Sequence, residues 1–303
     1  MTAPWLWAAF TLVAAGGQAL RNTAQHDLTP RIGAANASFV RFLFGLPFAL
    51  LFLPFACLVA GEAPHAPSPA ALLDLAVASA AQVLATALML LAMRGASFVV
   101  ATALVKTEAV QIVCVGLLFL GDPVTAGLVA AVGLATAGAF LLSAPSDETL
   151  SRADARSRQC AALLGLASAS AFGVSTVAFH ASVRELRGQS FVVAAALSLA
   201  LALLMQTAAI LVWLAFADRA GARAILAEAK ASFSAGFLGA FATLFWFLAF
   251  ALETTARVRT LGLVEVLFAQ ALARRLFAQS VSRREIFGVG LILAGVALAL
   301  NGR

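Results

Sequence analysis

Long apolar runs separated by short polar breaks dominate the chain. Crossing a bilayer as a helix takes about 20 apolar residues, and the pattern predicts ten helices of about that length. The breaks carry turn or charge residues, among them Pro30, Pro64 and Pro123. The expected spans are 4–20, 34–60, 70–93, 97–121, 124–143, 159–182, 189–217, 233–252, 260–279 and 285–301. The pattern therefore predicts an all-α integral membrane protein with ten transmembrane helices.

The longest polar segment, residues 146–158, divides the chain almost in half. Five expected spans precede it and five follow, so we expect a five-helix repeat at 1–145, a polar linker at 146–158 and a second five-helix repeat at 159–303. Because each half has an odd number of spans, the second must enter the membrane in the opposite orientation. The fold class predicted is thus two inverted five-helix repeats, which are typical of transporters.

A constant offset of 157 residues superposes the ends of the two halves and supports the repeat. The two members of each pair lie at the same distance from the last apolar run of their own half. The superposed pairs are Glu108 with Glu265, Val124 with Val281, Thr125 with Ser282, Gly133 with Gly290, and Gly138 with Gly295.

Composition excludes several classes of function. Hydrophobic residues make up 62% of the chain and charged residues 11%, against about 25% charged in typical soluble proteins. No stretch is left for a catalytic globular head or a nucleotide-binding domain, and phosphate-loop, zinc-helix and nucleophile-elbow motifs are absent from the sequence. We expect no enzyme, no cofactor and no metal site. The net charge of +6 lies mostly in links between spans, so no nucleic-acid partner is expected.

Three segments carry a resemblance to a known family. They are Lys106–Ala109 continuing through Leu118–Asp122, Gly262–Phe268 continuing through Gly288–Val296, and Phe39–Phe42 with its Arg41. In these the chain resembles the drug/metabolite transporter superfamily, specifically its ten-helix EamA-type members. The resemblance implies a secondary active transporter that exports small organic metabolites or drugs by alternating access, with a substrate cavity between the halves. It also implies a multi-pass protein of a bacterial inner membrane, a monomer or homodimer, whose partners are a small-molecule substrate, protons and the lipid bilayer.

Two alternatives of another class stay open: a non-transporting polytopic scaffold, and an enzyme acting on a lipid-borne substrate. An enzyme would need a cluster of His, Asp or Ser near a headgroup-level loop, which the expected loops lack. A scaffold would not need buried carboxylates related by the repeat.

Charge and resemblance disagree about orientation. The positive-inside rule places the more basic side in the cytoplasm, which puts the linker inside and both termini outside, whereas the family is often drawn with both termini inside. On the linker side lie Arg21, Arg31, Arg94, Arg152, Arg156, Arg158, Arg219, Arg223, Lys230, Arg274, Arg275, Arg283 and Arg284. On the other side lie Arg184, Arg187, Arg257, Arg259 and Arg303.

Glu108 and Glu265 are the sharpest candidate residues, because they are ionisable, lie within expected spans and are related by the repeat. A carboxyl in a low-dielectric cavity favours its neutral form, so either could bind a proton on one side and release it on the other. The alternative is a hydrogen-bonded glutamate that bridges helices.

Two basic residues and an amide join the candidates. Gln111 shares a helical face with Glu108, whereas Lys106 is about 200° away from it. Lys106 would pair with a carboxyl, bind an anionic substrate group or snorkel to an interface. Arg41 is either a clamp for a substrate or carboxylate, or a snorkelling residue.

The remaining candidates are polar or aromatic residues in apolar spans. Gln18 and Asn22 belong to a polar stripe that either lines a cavity mouth or forms the wet end of the first helix. Gln82 is either cavity lining or a buried amide with partners. Trp246, in an aromatic-rich eighth span, is either core or part of a wall around an amphipathic substrate.

Overall fold

The computed structural model describes residues 4–95, 105, 107–115, 125–143, 155–186, 188–277 and 283–301. Within these ranges the regular secondary structure is helical throughout, as the apolar runs predict. The helices are α1 (Leu6–Ile32), α2 (Ala34–Leu43), α3 (Leu46–Ala60), α4 (Pro69–Gly95), α5 (Glu108–Val115), α6 (Ala126–Ser143), α7 (Ala155–Glu185), α8 (Phe191–Phe216), α9 (Arg219–Ala227), α10 (Ala229–Leu252), α11 (Thr255–Gly262), α12 (Glu265–Phe277) and α13 (Arg283–Asn301).

Five stretches of helix are long and apolar enough to cross a membrane. They are Ala34–Ala60, Pro69–Ala92, Gln159–Glu185, Phe191–Phe216 and Ala229–Leu252. Each coincides with an expected span, and α2 and α3 together form the first of them. Shorter apolar helices at Ala126–Leu141 and Ile286–Leu300 match the expected fifth and tenth spans. By length and composition of its helices, the chain is a membrane protein.

The expected end of the first helix is wrong. α1 continues past residue 20 to Ile32 and carries Pro30 within its last turn. The helix ends only at Gly33, whose φ of 81° lies in the left-handed region that favours glycine. Gln18 and Asn22 are therefore in the middle of a long helix.

Helix breaks precede both repeat-related glutamates. The expected ninth span is interrupted by a turn at Leu263 and Val264, and Glu265 is the first residue of α12. Likewise Thr107 forms a turn and Glu108 is the first residue of α5, not the middle of a continuous helix. The ends of the expected fourth span, and Lys106 itself, lie outside the described residues.

The chain divides into two compact units. Unit 1 comprises Met1–Ala80 with Ala178–Glu253, and unit 2 comprises Ala81–Val177 with Thr254–Arg303. Each unit thus combines stretches from both sides of the polar linker. Within unit 1, α1 packs along α10 and α3 along α8; within unit 2, α6 packs along α13.

The α6–α13 contact is close and reciprocal. A Cβ atom added at Gly138 would lie 2.5 Å from a backbone carbonyl oxygen of α13, and one added at Gly295 would lie 2.6 Å from a backbone carbonyl oxygen of α6. Those oxygens belong to Gly288 and Ala131, and the next contacts fall on Ile292 and Ala135. Every one of these pairs, like Gly138 and Gly295 themselves, is related by the 157-residue offset.

Candidate functional site

The first charged cluster lies in unit 2 around Glu108. The turn at Thr107 places this carboxyl in the first turn of α5, where the helix dipole favours a negative charge. The side chain is buried, with 7% of the residue exposed. Gln111, one turn further on, donates to the Thr107 hydroxyl at 3.3 Å, as their four-residue spacing predicts.

Arg259 and Thr176 meet the Glu108 carboxylate. Arg259 Nη2 lies 2.5 Å from Glu108 Oε1 and donates to it, forming an ion pair. Thr176 Oγ1 donates to the same oxygen at 3.0 Å. We call these three residues the Glu108 junction, since they join α5, α7 and α11.

An apolar cluster packs beside the Glu108 junction. Its buried members are Ile112, Val177 and Ala256, and Leu128 packs against them. Ile112 is one helical turn after Glu108, Val177 follows Thr176 in the chain, and Ala256 is one turn before Arg259. Water is poorly accommodated among such side chains, and the low local dielectric strengthens the attraction between guanidinium and carboxylate. The ion pair therefore links α5 to α11 beside an apolar cluster.

Arg257, two residues before Arg259, has a different role. Its Nε donates to the Ala299 carbonyl at 3.1 Å and its Nη2 to the Leu300 carbonyl at 3.4 Å. These oxygens lie in the last turn of α13, where carbonyl groups are commonly satisfied by basic side chains. The two arginines of α11 thus point to different neighbours, because residues two apart on a helix are about 200° apart.

The second charged cluster lies in unit 1. Arg21 of α1 is 7% exposed, and its Nη2 donates to Asn22 Oδ1 at 2.8 Å. The guanidinium carbon of Arg41, on α2, lies 4.3 Å from the centre of the Phe42 ring. Both arginines contact the same point on α10: a Cβ added at Gly239 would be 3.1 Å from Arg41 Cβ and 3.5 Å from Arg21 Cδ. We call Arg21 and Arg41 the arginine cluster.

Aromatic side chains continue from the arginine cluster along the contact of α1 with α10. One turn before Arg21, Gln18 Oε1 accepts a hydrogen bond from Trp246 Nε1 at 3.0 Å. Phe241 approaches Gly17, and the Phe10 and Phe245 rings meet edge to face at 5.7 Å. Trp246 is 5% exposed, so within unit 1 it is packed as core and bonded through its indole N–H.

The structure brings some of the candidate residues together and separates others. Glu108 and Gln111 are in unit 2, as is half-buried Gln82, whose backbone oxygen accepts from the buried Thr86 hydroxyl. Arg41, Gln18, Asn22 and Trp246 are in unit 1. Glu265 is buried at the start of α12, and Lys106 lies outside the described residues.

Sequence reasoning missed Arg259, Thr176 and the depth of Arg21. It counted Arg21 and Arg259 as loop charges, but Arg21 is buried on α1 and Arg259 is paired with Glu108. Without Arg21 on the linker side and Arg259 on the other, the linker side still carries more basic residues. The one signal in the sequence was the glutamate within an expected span, since a buried carboxylate needs a partner, but it did not indicate which residue the partner is.

The comparisons with known proteins bear on the fold. No protein-family model matches the chain, and no curated protein matches it. Solved structures do match, in 26 chains. One, described as the crystal structure of a protein, has a TM-score of 0.67 at 17% sequence identity, covering 98% of this chain and 94% of that one. The chain therefore shares the fold of a solved protein over nearly its whole length.

Proposed function

We propose that the protein is a secondary active transporter that moves small organic solutes outward across a bacterial inner membrane by alternating access, coupled to protons through Glu108. The observation that carries this proposal is the Glu108 junction, an ion pair that joins the start of α5, which follows a turn, to α11, which ends at one. Membership of the drug/metabolite transporter superfamily, as a monomer or homodimer without a cofactor, is part of the same proposal.

A purely structural role does not account for the charges of the junction. Placing one charged side chain near the middle of a membrane helix costs about 2.5–3.5 kcal/mol on insertion scales. Exchanging a buried ion pair for well-packed apolar residues is often neutral or stabilising, so packing alone does not require Glu108 and Arg259. Charges that are costly to bury and unnecessary for packing are typical of ion and substrate pathways in membrane proteins.

The geometry supports a proton-dependent switch. A proton on Glu108 removes the negative charge that attracts Arg259 and leaves Thr176 free to change its partner. α5 begins after the Thr107 turn, and α11 lies between extended Thr254 and the turn at Leu263. Rotation at those turns would let α5 and α11 change position, as hinge residues do in conformational switches. Protonation would favour one arrangement and the ion pair the other.

The repeat supports alternating access. The reciprocal contacts of Gly138 and Gly295 obey the same 157-residue offset as Glu108 and Glu265, each of which begins a helix after a turn. Helices broken beside a site, at corresponding positions of two halves, are typical of secondary transporters. Glu265 is on this basis the second candidate for proton coupling.

The test is transport by the purified protein in proteoliposomes carrying an internal pH indicator. Solutes from several classes (amino acids, nucleosides, organic cations, organic acids and sugars) are added under an imposed proton gradient. We expect at least one class to evoke proton movement, and Glu108→Gln to abolish it. Arg31→Gln is the matched control. It also breaks an arginine–glutamate ion pair, the 3.0 Å pair of Arg31 with Glu228, but that pair is exposed to solvent.

Two results would contradict the proposal. If Glu108→Gln keeps gradient-driven transport and its pH dependence, proton coupling through Glu108 is wrong. If a folded protein evokes no flux with any solute class, under a proton gradient or in exchange, the scaffold and lipid-substrate alternatives take precedence. Glu265→Gln, tested in the same way, decides whether the repeat-related carboxyl shares the role.

A further inference from the structure

The short helix α9 lies in the link between two apolar helices of unit 1 that are long enough to cross a membrane. α8 ends at Phe216 and α10 begins at Ala229, so residues 217–228 connect the two spans at one surface of the membrane. The 26 residues of α8 correspond to about 39 Å of helix, which is longer than a hydrocarbon core about 30 Å thick. The link is therefore expected at the level of the lipid headgroups.

One face of α9 packs on the protein and the other is exposed. Gly221 and Ile225 are buried, and a Cβ added at Gly221 would be 2.8 Å from a side-chain nitrogen of α2. The exposed side carries Arg219, Arg223 and Leu226, which fall within about 60° of one another at about 100° per residue. We call these three residues the outer face of α9. Because residues four apart are neighbours on a helix, the two arginines lie side by side there.

The acidic side chains of the link are already engaged. Asp218 is the N-cap of α9, and its carboxylate accepts a hydrogen bond from the backbone N–H of Gly221 at 2.8 Å. Glu228, at the other end of α9, forms the exposed ion pair with Arg31. In the described part of the chain, neither carboxylate pairs with an arginine of the outer face.

Both guanidinium groups of the outer face have donors left for an anion. Arg219 Nε donates to the Ala215 carbonyl at 2.9 Å, which holds this side chain against the last turn of α8. Among the described residues Arg219 has no acidic partner, and the Arg223 side chain has neither a hydrogen bond nor an ion pair. Since a guanidinium carries five N–H donors, most of those on the outer face are unused.

Large apolar side chains are exposed beside these arginines. Trp213 and Phe216, in the last turn of α8, are 57% and 85% exposed, and Leu226 on the outer face is 70% exposed. Contact with water is unfavourable for such side chains, whereas contact with lipid chains is favourable. Tryptophan together with basic residues is typical of the level at which a helix meets the headgroups. Apolar and basic groups side by side therefore favour a lipid over a water-soluble anion.

We propose that α9 binds the phosphate of an anionic phospholipid through Arg219 and Arg223, with the acyl chains of that lipid against Phe216 and Leu226. Guanidinium groups suit phosphate, because their planar fork of donors matches two of its oxygens. Each basic residue near the headgroup favours a lipid of net negative charge by about fivefold. This lipid site is independent of the proposed transport function and applies equally to a scaffold.

The test uses phospholipids brominated on the acyl chain close to the glycerol, which quench tryptophan fluorescence on contact. The full chain is reconstituted in phosphatidylcholine nanodiscs containing either brominated phosphatidylglycerol or brominated phosphatidylcholine in equal amount. Trp213 reports on the lipid beside α9, and its signal is the difference between the protein and its Trp213→Phe variant. We expect the brominated phosphatidylglycerol to quench Trp213 more strongly.

Three variants examine the part played by charge. Arg219→Gln and Arg223→Gln should each lower the preference for phosphatidylglycerol by about fivefold. Replacing both arginines with lysine should keep most of the preference, because the charge remains. Arg184→Gln is the matched control. It removes the same charge in the last turn of α7, before the link that leads to the other end of α8, and should leave the preference unchanged.

Three outcomes would overturn the proposal. Equal quenching of Trp213 by the two brominated lipids would show that the site does not select charge. An unchanged preference in both arginine-to-glutamine variants would exclude the outer face, and quenching by brominated phosphatidylcholine shows in each variant that Trp213 still contacts lipid. If inorganic phosphate displaced the lipid more than chloride of the same ionic strength does, the occupant would be a soluble anion.

Discussion

The reciprocal contact of α6 with α13 makes a sharp prediction about two glycines. Replacing Gly138 or Gly295 with alanine puts a Cβ atom 2.5 or 2.6 Å from a backbone carbonyl oxygen of the other helix. A backbone atom cannot rotate out of the way as a side chain can, so the two helices must separate locally. Overpacking of this kind typically costs about 1–3 kcal/mol.

Gly133 and Gly290 provide matched controls on the same two helices. They are related by the same 157-residue offset, and a Cβ added at either meets nothing within 4 Å. Alanine is favoured over glycine in a helix by about 1 kcal/mol, and this gain is common to all four substitutions. The difference between a test variant and its control therefore isolates the steric cost, about 1–3 kcal/mol.

The assay is thermal unfolding in detergent, followed by the fluorescence of the four tryptophans. Gly138→Ala and Gly295→Ala should unfold several degrees below Gly133→Ala and Gly290→Ala. The two test variants should be nearly equal, because their contacts are related by the repeat. The double variant should lose less stability than the two single variants lose together, because the helix separation caused by the first alanine makes room for the second. If Gly138→Ala were as stable as Gly133→Ala, or the two test variants clearly unequal, the reciprocal contact would be refuted.

Two further predictions concern single contacts. Arg257→Gln should lower the free energy of unfolding by about 1 kcal/mol per lost hydrogen bond, because it removes donors from carbonyls in the last turn of α13. It should leave the pH dependence of transport intact. Thermal unfolding checks the first expectation and the proteoliposome assay checks the second. The backbone N–H of Ser190, and then its hydroxyl, hold the pKa of Glu62 below its ordinary value of 4.5. Glu62 should therefore stabilise the fold above that value, and this contribution should be lost as the pH falls through the lower folded pKa. Glu62→Gln should unfold at a lower temperature than the parent at pH 7, with a difference that shrinks in acid; a difference independent of pH would contradict this.

Local patterns predicted most of the helices and the candidate carboxyls. Apolar runs placed the spans at 34–60, 70–93 and 189–217 close to the observed helices, because burial in a membrane demands continuous apolar length. The offset pairing of Glu108 with Glu265 was also visible, and each begins a helix after a turn. These features depend on the neighbouring residues along the chain.

Features that depend on distant residues escaped prediction. Arg259 is 151 residues from Glu108, and nothing in its local sequence indicates that α11 packs against α5. The break at Leu263 lies in an apolar stretch without proline, so the run reads as one helix. Pro30 suggested a break that the structure lacks: α1 runs through it to Ile32, with the loss of one backbone hydrogen-bond donor.

Proton coupling through Glu108 predicts an electrical signature for transport. If Glu108 brings one proton inward for each carboxylate anion that moves outward, two positive charges enter per cycle. A potential of 100 mV, negative inside, would then contribute about 4.6 kcal/mol, or about 10³-fold in the solute gradient. Movement of the proton and the anion in the same direction would be electroneutral and would gain nothing from the potential. Accumulation of a transported carboxylate under a potassium diffusion potential distinguishes the two, and independence from that potential would exclude exchange of a proton for an anion.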